Sequence, residues 1–585
     1  MLETKRKRLD SLRAQLGNER LSFEAHARDL SDFILPRRSR WYTSDANRGG
    51  NRMSDIIDST ATLAARTLSS GMMAGITSPA RPWFRLTTPD PDLAEVGAIK
   101  TWLHIVSQRM RTVMLRSNLY NTLPLVYGDL GVFATAPMLV EEDLDTVFRT
   151  RSFPFGSYWI GTDSKWLVRV FCREFRMTVR QVVEEFGRTN QDSNTIDWTN
   201  LSANVKRAWD NSQYEQWVDV CHIIHPNPEW NPKALDAKYK RFASLYFERG
   251  MAATGSQESY TSIVGQDENK FLRESGYDRF PVLCPRWEVS AEDIYGTSCP
   301  GMVALGDIKA LQKMHKRKAD AVEKMVRPPL MGPASLRTQK VSILPGDVNY
   351  IDIRDGMEGL RPVFQVNPNV KDLVLDIQEH QFRIRRAFYE DLFLMLASSD
   401  RREMTAREVE ERHEEKLLSL GPVLEQLNQD LLDPLVDLVF EMMFRQGMIP
   451  PAPEELAGQV LKVEYISVMA QAQKQVGISG MERFGATVLQ LAAAKPDVFD
   501  KVDTDQWVDE YGDALGIPPR IIVPDEEVAR RREAKAKLQA QQMAIEAAPQ
   551  MARAAKDLGS VKTDDDSMLK RLAEAAAAGE LTESA

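Results

Sequence analysis

A chain of 585 residues is long enough for three to five packed units at roughly 100–200 residues per domain. Its 43% hydrophobic and 27% charged residues exclude wholesale disorder, and a net charge of −9 excludes a generic polycation that coats nucleic acid. A mean hydropathy of −0.36, with no uncharged apolar run of about eighteen residues, excludes a membrane-spanning helix.

The basic start, Lys5 to Arg8, is followed by Asp10, Arg13 and Gln15 rather than an apolar stretch, so it does not read as a signal peptide. The chain is expected to stay in the cytosol of the cell that makes it. Four scattered cysteines (Cys172, Cys221, Cys284, Cys299) form no CxxC pair, which fits a reducing compartment rather than a disulfide framework.

Leu9, Leu12 and Leu16 share one helical face, and after Gly17 the pattern resumes with Phe23, Leu30 and Ile34 until Pro36 stops it. A basic, aromatic loop follows: Arg37, Arg38, Arg40, Trp41, Tyr42, then Asn47 to Gly50. Helices are expected over about Ser54–Gly71 and Leu93–Arg116, with a short extended piece at Trp83, Phe84 and Leu86. From about Val132 to Glu288 the period shifts towards two. Met138–Val140, Val147–Phe153, Trp166–Phe175, Trp217–Ile224 and Phe242–Phe247 read as strands, and Thr254 to Gln257 as a loop. Thr178 and Gln181 form a capping box that opens a short helix to Phe186.

Beyond Pro300-Gly301 the pattern changes. Ala304–Val326 reads as a helix stopped by Arg327-Pro328-Pro329, and Val370–Leu396 as a second, some 40 Å long at about 1.5 Å per residue. The two flank a proline-marked insert with strand-like Val341–Leu344 and Tyr350–Ile353. Ser398, Ser399, Asp400, Arg401 and Arg402 form a loop. Thr405 and Glu408 then cap the longest helical pattern, with kinks expected at Gly421-Pro422 and Asp433-Pro434. Leu420, Leu424, Leu427, Leu431, Leu435, Leu438 and Met442 make its apolar stripe. A smaller helical region reaches about Gly516. The tail beyond Pro524 is helix-prone and poor in large apolar residues.

No nucleotide-binding GxxxxGK[ST] loop, GxSxG elbow or HExxH motif is present. His222 and His225 lie three apart in a strand, so they point to opposite faces and chelate poorly. His413-Glu414-Glu415 reads as a solvated helix face, Asp352 and Asp355 as a polar loop, and Asp564 to Asp566 as a solvated tail. The pattern calls for no catalytic residues, no cofactor and no metal. Lys309, Lys313, Lys316, Arg317 and Lys318 crowd the first long helix, and Arg383, Arg385 and Arg386 the second. Acidic residues interleave both (Asp307, Asp320, Glu323; Asp372, Asp376, Glu379, Glu390, Asp391), which fits salt-bridged contacts between subunits better than a DNA-binding patch.

Several strings in order resemble the portal, or head-to-tail connector, proteins of short-tailed bacteriophages. They are Pro36 to Trp41, Asn47 to Gly50, Ile57 to Thr60, and above all Gly75 to Leu86. Tyr295-Gly296, Pro300-Gly301, Pro328 to Leu330, Met404 to Ala406, Leu420 to Val423, Leu432 to Val436 and Tyr465 to Ser467 continue the set. They span roughly residues 20 to 480.

The resemblance implies an α+β, predominantly helical, portal-type subunit. Its parts would be a wing (1–303), stem helices (304–326 and 370–396), a small mixed α/β clip between them (327–369) and a tunnel loop (397–403). A kinked helix (404–450), a helical crown (451–524) and the low-complexity tail (525–585) would complete it. About twelve copies would ring a DNA channel at one capsid vertex, in a virion assembled in the host cytoplasm. Twelve helices each roughly 10 Å across place their axes on a circle near 38 Å in diameter, leaving a bore of roughly 28 Å, enough for a double helix. Such a bore must not grip its cargo, and a charge-balanced lining suits that.

The implied partners are further copies of the chain, double-stranded DNA, the terminase large subunit, major capsid and scaffolding proteins, tail adaptors, and internal core proteins at the crown, with no membrane. Arg401 and Arg402 would touch phosphates transiently. Arg337, Lys340, Asp347 and Arg354 would lie on the clip, against motor or adaptor. The alternatives are another structural virion protein, such as an internal core or tail component, or a DNA-processing enzyme.

Overall fold

The computed structural model describes residues 4–43, 55–90, 96–187, 195–252, 270–290, 292–328, 370–397, 420–456 and 461–466. Shorter pieces lie at 260–262, 330–331, 361–362, 484–491, 502–514 and 527–540, with a few single residues between. The chain is α+β. Helices α1 (Lys5–Phe33), α2 (Thr60–Ile76), α3 (Gly97–Arg116) and α4 (Leu119–Phe133), with the short strand β1 (Phe84–Thr87), precede a strand-rich region. That region holds β2 (Met138–Asp143), β3 (Val147–Ser152), β4 (Tyr158–Thr162), β5 (Val168–Thr178), β6 (Trp217–Pro226), β7 (Phe242–Ala252), β8 (Tyr260–Ser262), β9 (Arg273–Tyr277) and β10 (Val282–Leu283). Two helices, α5 (Val179–Phe186) and α6 (Ala203–Asp210), lie between β5 and β6.

Strands β4-β5-β6-β7-β8, with β9 also on β7, form one antiparallel sheet, and β10-β2-β3 form a second. The apolar face of α1 lies on the larger sheet. Leu9 and Leu16 pack there with Trp159, Cys172, Ile223 and Phe247. Two of its arginines are drawn in with them. The Arg6 guanidinium sits 3.8 Å over the Phe247 ring, and Arg20 Nη1 donates to Gly156 O (2.6 Å) and Tyr158 O (2.9 Å). Their charges are held by backbone carbonyls and ring faces, so they are no free basic surface. On the same sheet α5 and α6 cover Val218 and Val220 with Val179, Val182, Val183 and Val205. The expected capping box is present: Thr178 Oγ1 accepts from Gln181 N and Gln181 Oε1 accepts from Thr178 N.

Two expected helix starts need correction, and one helix carried no sequence signal. The second helix begins at Thr60, not near Ser54, because Asp58 accepts from Thr60 N and so opens it there. Helix α3 likewise begins at Gly97 rather than Leu93. The stretch from Leu119 to Phe133, which shows no amphipathic period, is a helix with Pro124 inside it. Its contacts are so complete that Leu123, Val126, Tyr127 and Leu130 are fully buried. A helix apolar all round belongs in a core, and Gly131 lets Leu68 of α2 seat against it: a Cβ there would lie 2.2 Å from Leu68 Cδ2.

The basic loop after α1 is also structural. Arg38 clasps the carboxylate of Asp129, which is 2% exposed in α4, and the Arg28 guanidinium lies over Trp41 at 4.6 Å. Gly156, at φ +91°, passes so close to Arg40 that a Cβ would meet Arg40 O at 2.4 Å.

Past the strands come α7 (Pro300–Val326), the two-strand ribbon β11 (Leu330–Met331) and β12 (Arg361–Pro362), then α8 (Val370–Ala387) and α9 (Glu390–Ala397). Helical turns from Leu420 enter a π-turn, Asn428–Leu432, that leads into α10 (Asp433–Arg445). There Asp433 N donates to Asn428 O, one residue further back than in an α-helix. The interruption expected at Asp433-Pro434 takes this form, since Pro434 has no N–H for the ladder. Leu420, Leu427, Leu431, Leu435, Leu438 and Met442 are buried as the stripe predicts, and Leu424 packs on them. Strand β13 (Lys462–Tyr465) returns to pair with β1, Phe84 opposite Tyr465.

Candidate functional site

The resemblance places function on the hairpin of α7 and α8, and the structure defines most of that hairpin. The ribbon β11–β12 joins the end of α7 to the approach of α8, so the two run antiparallel. They touch through His380 Nδ1, 2.8 Å from Asp307 Oδ1, with Arg383 at 4.0 Å from the same oxygen. Ala304, Leu311, Ile377 and Ile384 are buried in the same apolar cluster.

A single acidic residue fastens both helices to the N-terminal region. Asp58, just before α2, accepts from Thr60 N through Oδ1 (2.8 Å) and from Gln381 Nε2 of α8 through Oδ2 (2.9 Å). Gln312 of α7 completes the clasp. Its Oε1 accepts from the N–H groups of Ile57 and Asp58, and its Nε2 donates to Asp58 O, each at 2.8 Å. His315 Nε2 lies 3.1 Å from Asp58 Oδ2, close enough for charge attraction but out of line for a hydrogen bond. Lys309 Nζ reaches Asp29 of α1 at 2.6 Å. Burial alone would push the Asp58 carboxyl up; hydrogen bonds from Thr60 and Gln381, with His315 nearby, outweigh it and hold the group below the usual carboxylate range.

The second long helix is not the continuous rod expected over Val370–Leu396. It stops at Ala387, and Tyr389 adopts φ +55° before α9 begins at Glu390. The turn lets Phe388, Leu392 and Phe393 enter the core. Phe393 lies on Gly71 of α2, where a Cβ would fall 2.2 Å from its ring. No glycine or proline marks this break, so burial of three large side chains sets it.

The loop residues Ser398, Ser399, Asp400, Arg401 and Arg402 lie outside the described residues, as do Arg337, Lys340, Asp347 and Arg354 of the insert. So do the Thr254–Gln257 loop, the Thr405/Glu408 cap, His413 to Glu415, Asp352, Asp355 and Asp564 to Asp566. Among the described residues no group of three or more His, Cys, Asp or Glu side chains could hold a metal ion, and no helix is long and apolar enough to cross a membrane.

His222 is buried in β6, stacked 3.7 Å from Tyr246. It accepts at Nδ1 from Arg173 and meets Ser244 Oγ at Nε2. Burial, then the Arg173 charge, hold it well below the ordinary histidine range, as a neutral core residue. The four cysteines are free and buried. Of the cations that crowd α7, Lys309 is spent on Asp29, while Lys313, Lys316 and Arg317 are exposed and make no ion pair among the described residues. On α8, Arg383 reaches Glu379 and Arg385 reaches Glu390 (3.7 Å). The residues sequence reasoning missed are Asp58, Gln312 and Gln381, ordinary polar side chains whose spacing carries no motif.

The sequence matches known proteins along nearly all its length. The "Portal protein" of Salmonella phage epsilon15 is 47% identical over 578 residues, 99% of this chain and 100% of that protein. The "Probable portal protein" of Bordetella phage BPP-1 is 42% identical over 569 residues, 97% of this chain and 98% of that one. The family described as bacteriophage head to tail connecting protein matches residues 6–523, which takes in both larger sheets, the α7–α8 hairpin and the helix through the π-turn together; the chain belongs to that family.

Proposed function

We propose that the chain is the subunit of a phage portal. About twelve copies form a closed ring at one capsid vertex, through which DNA enters during packaging and leaves at ejection. The observation that carries this is the end-to-end match to two portal proteins, covering 97% or more of the chain in each case. The antiparallel α7–α8 hairpin, clasped at Asp58 and capped by a proline-bounded insert, suits a stem with a clip at its far end. On this reading residues 1–303 form the wing and 451–524 the crown. The insert meets terminase and later the tail adaptors, and the subunit itself performs no catalysis. Native mass spectrometry of the purified chain should give closed rings of about a dozen subunits. A monodisperse monomer at micromolar concentration would overturn the reading.

The tunnel loop is assigned to Ser398–Arg402, between α9 and the helix that follows. Replacing Arg401 and Arg402 together by alanine should leave ring assembly intact and lower DNA packaging or retention. Loss of the ring would make the loop a structural contact instead.

A further inference from the structure

Tyr389, between α8 and α9, holds a backbone conformation that its side chain resists. Its φ of +55° lies in the left-handed region, where a Cβ crowds the backbone and where a helix end ordinarily carries glycine or asparagine. The sequence on either side reads as one helix. Ile377, Ile384 and Phe388 are buried at spacings of seven and four, and Leu392 and Met395 continue that spacing past the break. No glycine or proline stands anywhere between Val370 and Ala397.

The hydrogen bonds at the junction are those of a helix thrown out of phase. Phe388 N donates to Ile384 O (3.2 Å), four residues back. Tyr389 N then donates to Arg386 O (3.1 Å) and Leu392 N to Tyr389 O (3.0 Å), each only three back. Phe393 N resumes the four-residue step on Tyr389 O (3.2 Å). Joining the two helices exchanges the three-back bonds for four-back ones and abolishes the left-handed residue.

Of the three side chains buried by the turn, only Phe393 distinguishes bent from straight. At about 100° per residue, one straight helix keeps Leu392 within about 60° of the Ile384–Phe388 stripe but turns Phe393 about 160° away from it. The bend instead buries Phe393 against α2, at Gly71, where no side chain stands in its way. Burying a phenylalanine ring and holding a tyrosine left-handed are opposing terms of similar size. The two arrangements of this segment therefore lie close in free energy.

We propose that the Phe388–Tyr389 junction is a hinge with two settings. In the bent setting Phe393 is latched on Gly71. In the straight one α8 and α9 join into a single helix over 370–397 and Phe393 leaves the notch. Ser398–Arg402 follow α9 directly, so the setting fixes the direction in which the chain enters that segment. That the hinge steers a tunnel loop rests on the ring reading; the hinge itself does not.

The test places nitroxide labels at Glu379→Cys on α8 and Leu394→Cys on α9, two exposed positions, in the full chain, whose four native cysteines are buried. Labelled chain is assembled with an excess of unlabelled chain, so that the spin pair within one subunit is read. Fifteen residues of unbroken helix separate the two Cα atoms by about 22 Å, and the bent setting brings them closer. Gly71→Ala fills the notch while improving the helix propensity of α2, and should shift the main distance to the longer value. Tyr389→Gly relieves the left-handed residue; it should leave only the short distance and, added to Gly71→Ala, move the population back towards it. Should Gly71→Ala not fold, Phe393→Ala removes the latch without filling the notch and should lengthen the distance in the same way. A distance unmoved by loss of the latch, or one that merely broadens because α9 comes loose, would overturn the hinge. Gly71→Ala rings that show the longer distance yet package and retain DNA as the parent does would overturn the steering role. A parent chain that forms no rings would remove the ring reading and leave the distances to decide the hinge.

Discussion

Replacing Asp58 by alanine should release α7 and α8 from the N-terminal region while leaving that region folded. The carboxylate joins the start of α2 to Gln381 of α8 through separate oxygens, and the backbone on either side of it holds Gln312 of α7. Its side chain is 10% exposed, so water replaces these contacts poorly. Hydrogen bonds to a charged group contribute about 1.5–3 kcal/mol, and the alanine variant also strands the Gln381 amide and the Thr60 N–H. Amide hydrogen exchange is the direct reading. Protection should fall across Pro300–Val326 and Val370–Ala387 and stay unchanged in β5, β6 and β7. Asp58→Asn keeps an acceptor for Thr60, and Gln381 can turn its amide to match, so most of the protection should survive.

The same residue sets a direction with pH. Its folded pKa is depressed below the ordinary value of about 3.9, so the unfolded chain binds its proton first as pH falls. The clasp therefore contributes in full above about pH 4 and is lost as pH drops through the lower, folded value. Protection that faded instead between pH 8 and 6 would point to a histidine, not Asp58, as the controlling group.

What could be read in advance follows from the range of the forces involved. The α5 capping box, the leucine stripe ahead of and along α10, and the β-branched and aromatic strands β5 to β7 are set by neighbours within a few residues, and local sequence carries them. Helix α4 shows little period because most of its surface is buried and even its exposed strip, at Asn121 and Leu125, carries a leucine, whereas periodicity needs one face to differ from another. The pairing of β1 with β13 joins Phe84 to Tyr465 across the whole chain, and four-residue strands hold too little pattern to announce a partner. The break at Tyr389 is of the same kind: Phe388, Leu392 and Phe393 turn inward because Gly71, more than three hundred residues earlier, leaves room for a ring. As for the site, the presence of two long helices either side of a proline-marked stretch was legible from helical periodicity and proline positions. The clasp at Asp58 was not, because one aspartate and two glutamines gain meaning only when three distant segments converge.

Removing Arg286 should cost more than removing any exposed cation of the hairpin. Arg286, in the segment after β10, donates from Nε to Asp430 Oδ2 (3.2 Å) and from Nη2 to Trp166 O (3.0 Å), with the two charged side chains 3% and 6% exposed. Asp430 sits in the π-turn and also accepts from Gln426 Nε2 at 2.8 Å. This pair ties the strand-rich region to the kinked helix at its irregular turn. Arg286→Met keeps much of the volume but leaves a buried carboxylate facing a thioether, and breaking such a pair from one side costs about 3–5 kcal/mol. The apparent unfolding temperature of the strand-rich region should fall on the order of 10 °C. Adding Asp430→Leu removes the stranded charge and should return most of the lost stability, since a buried ion pair and an apolar pair of similar size are often close in free energy. A double variant no more stable than Arg286→Met would mean that the π-turn itself needs the carboxylate, and that Asp430 holds the kink through Gln426 rather than through the ion pair.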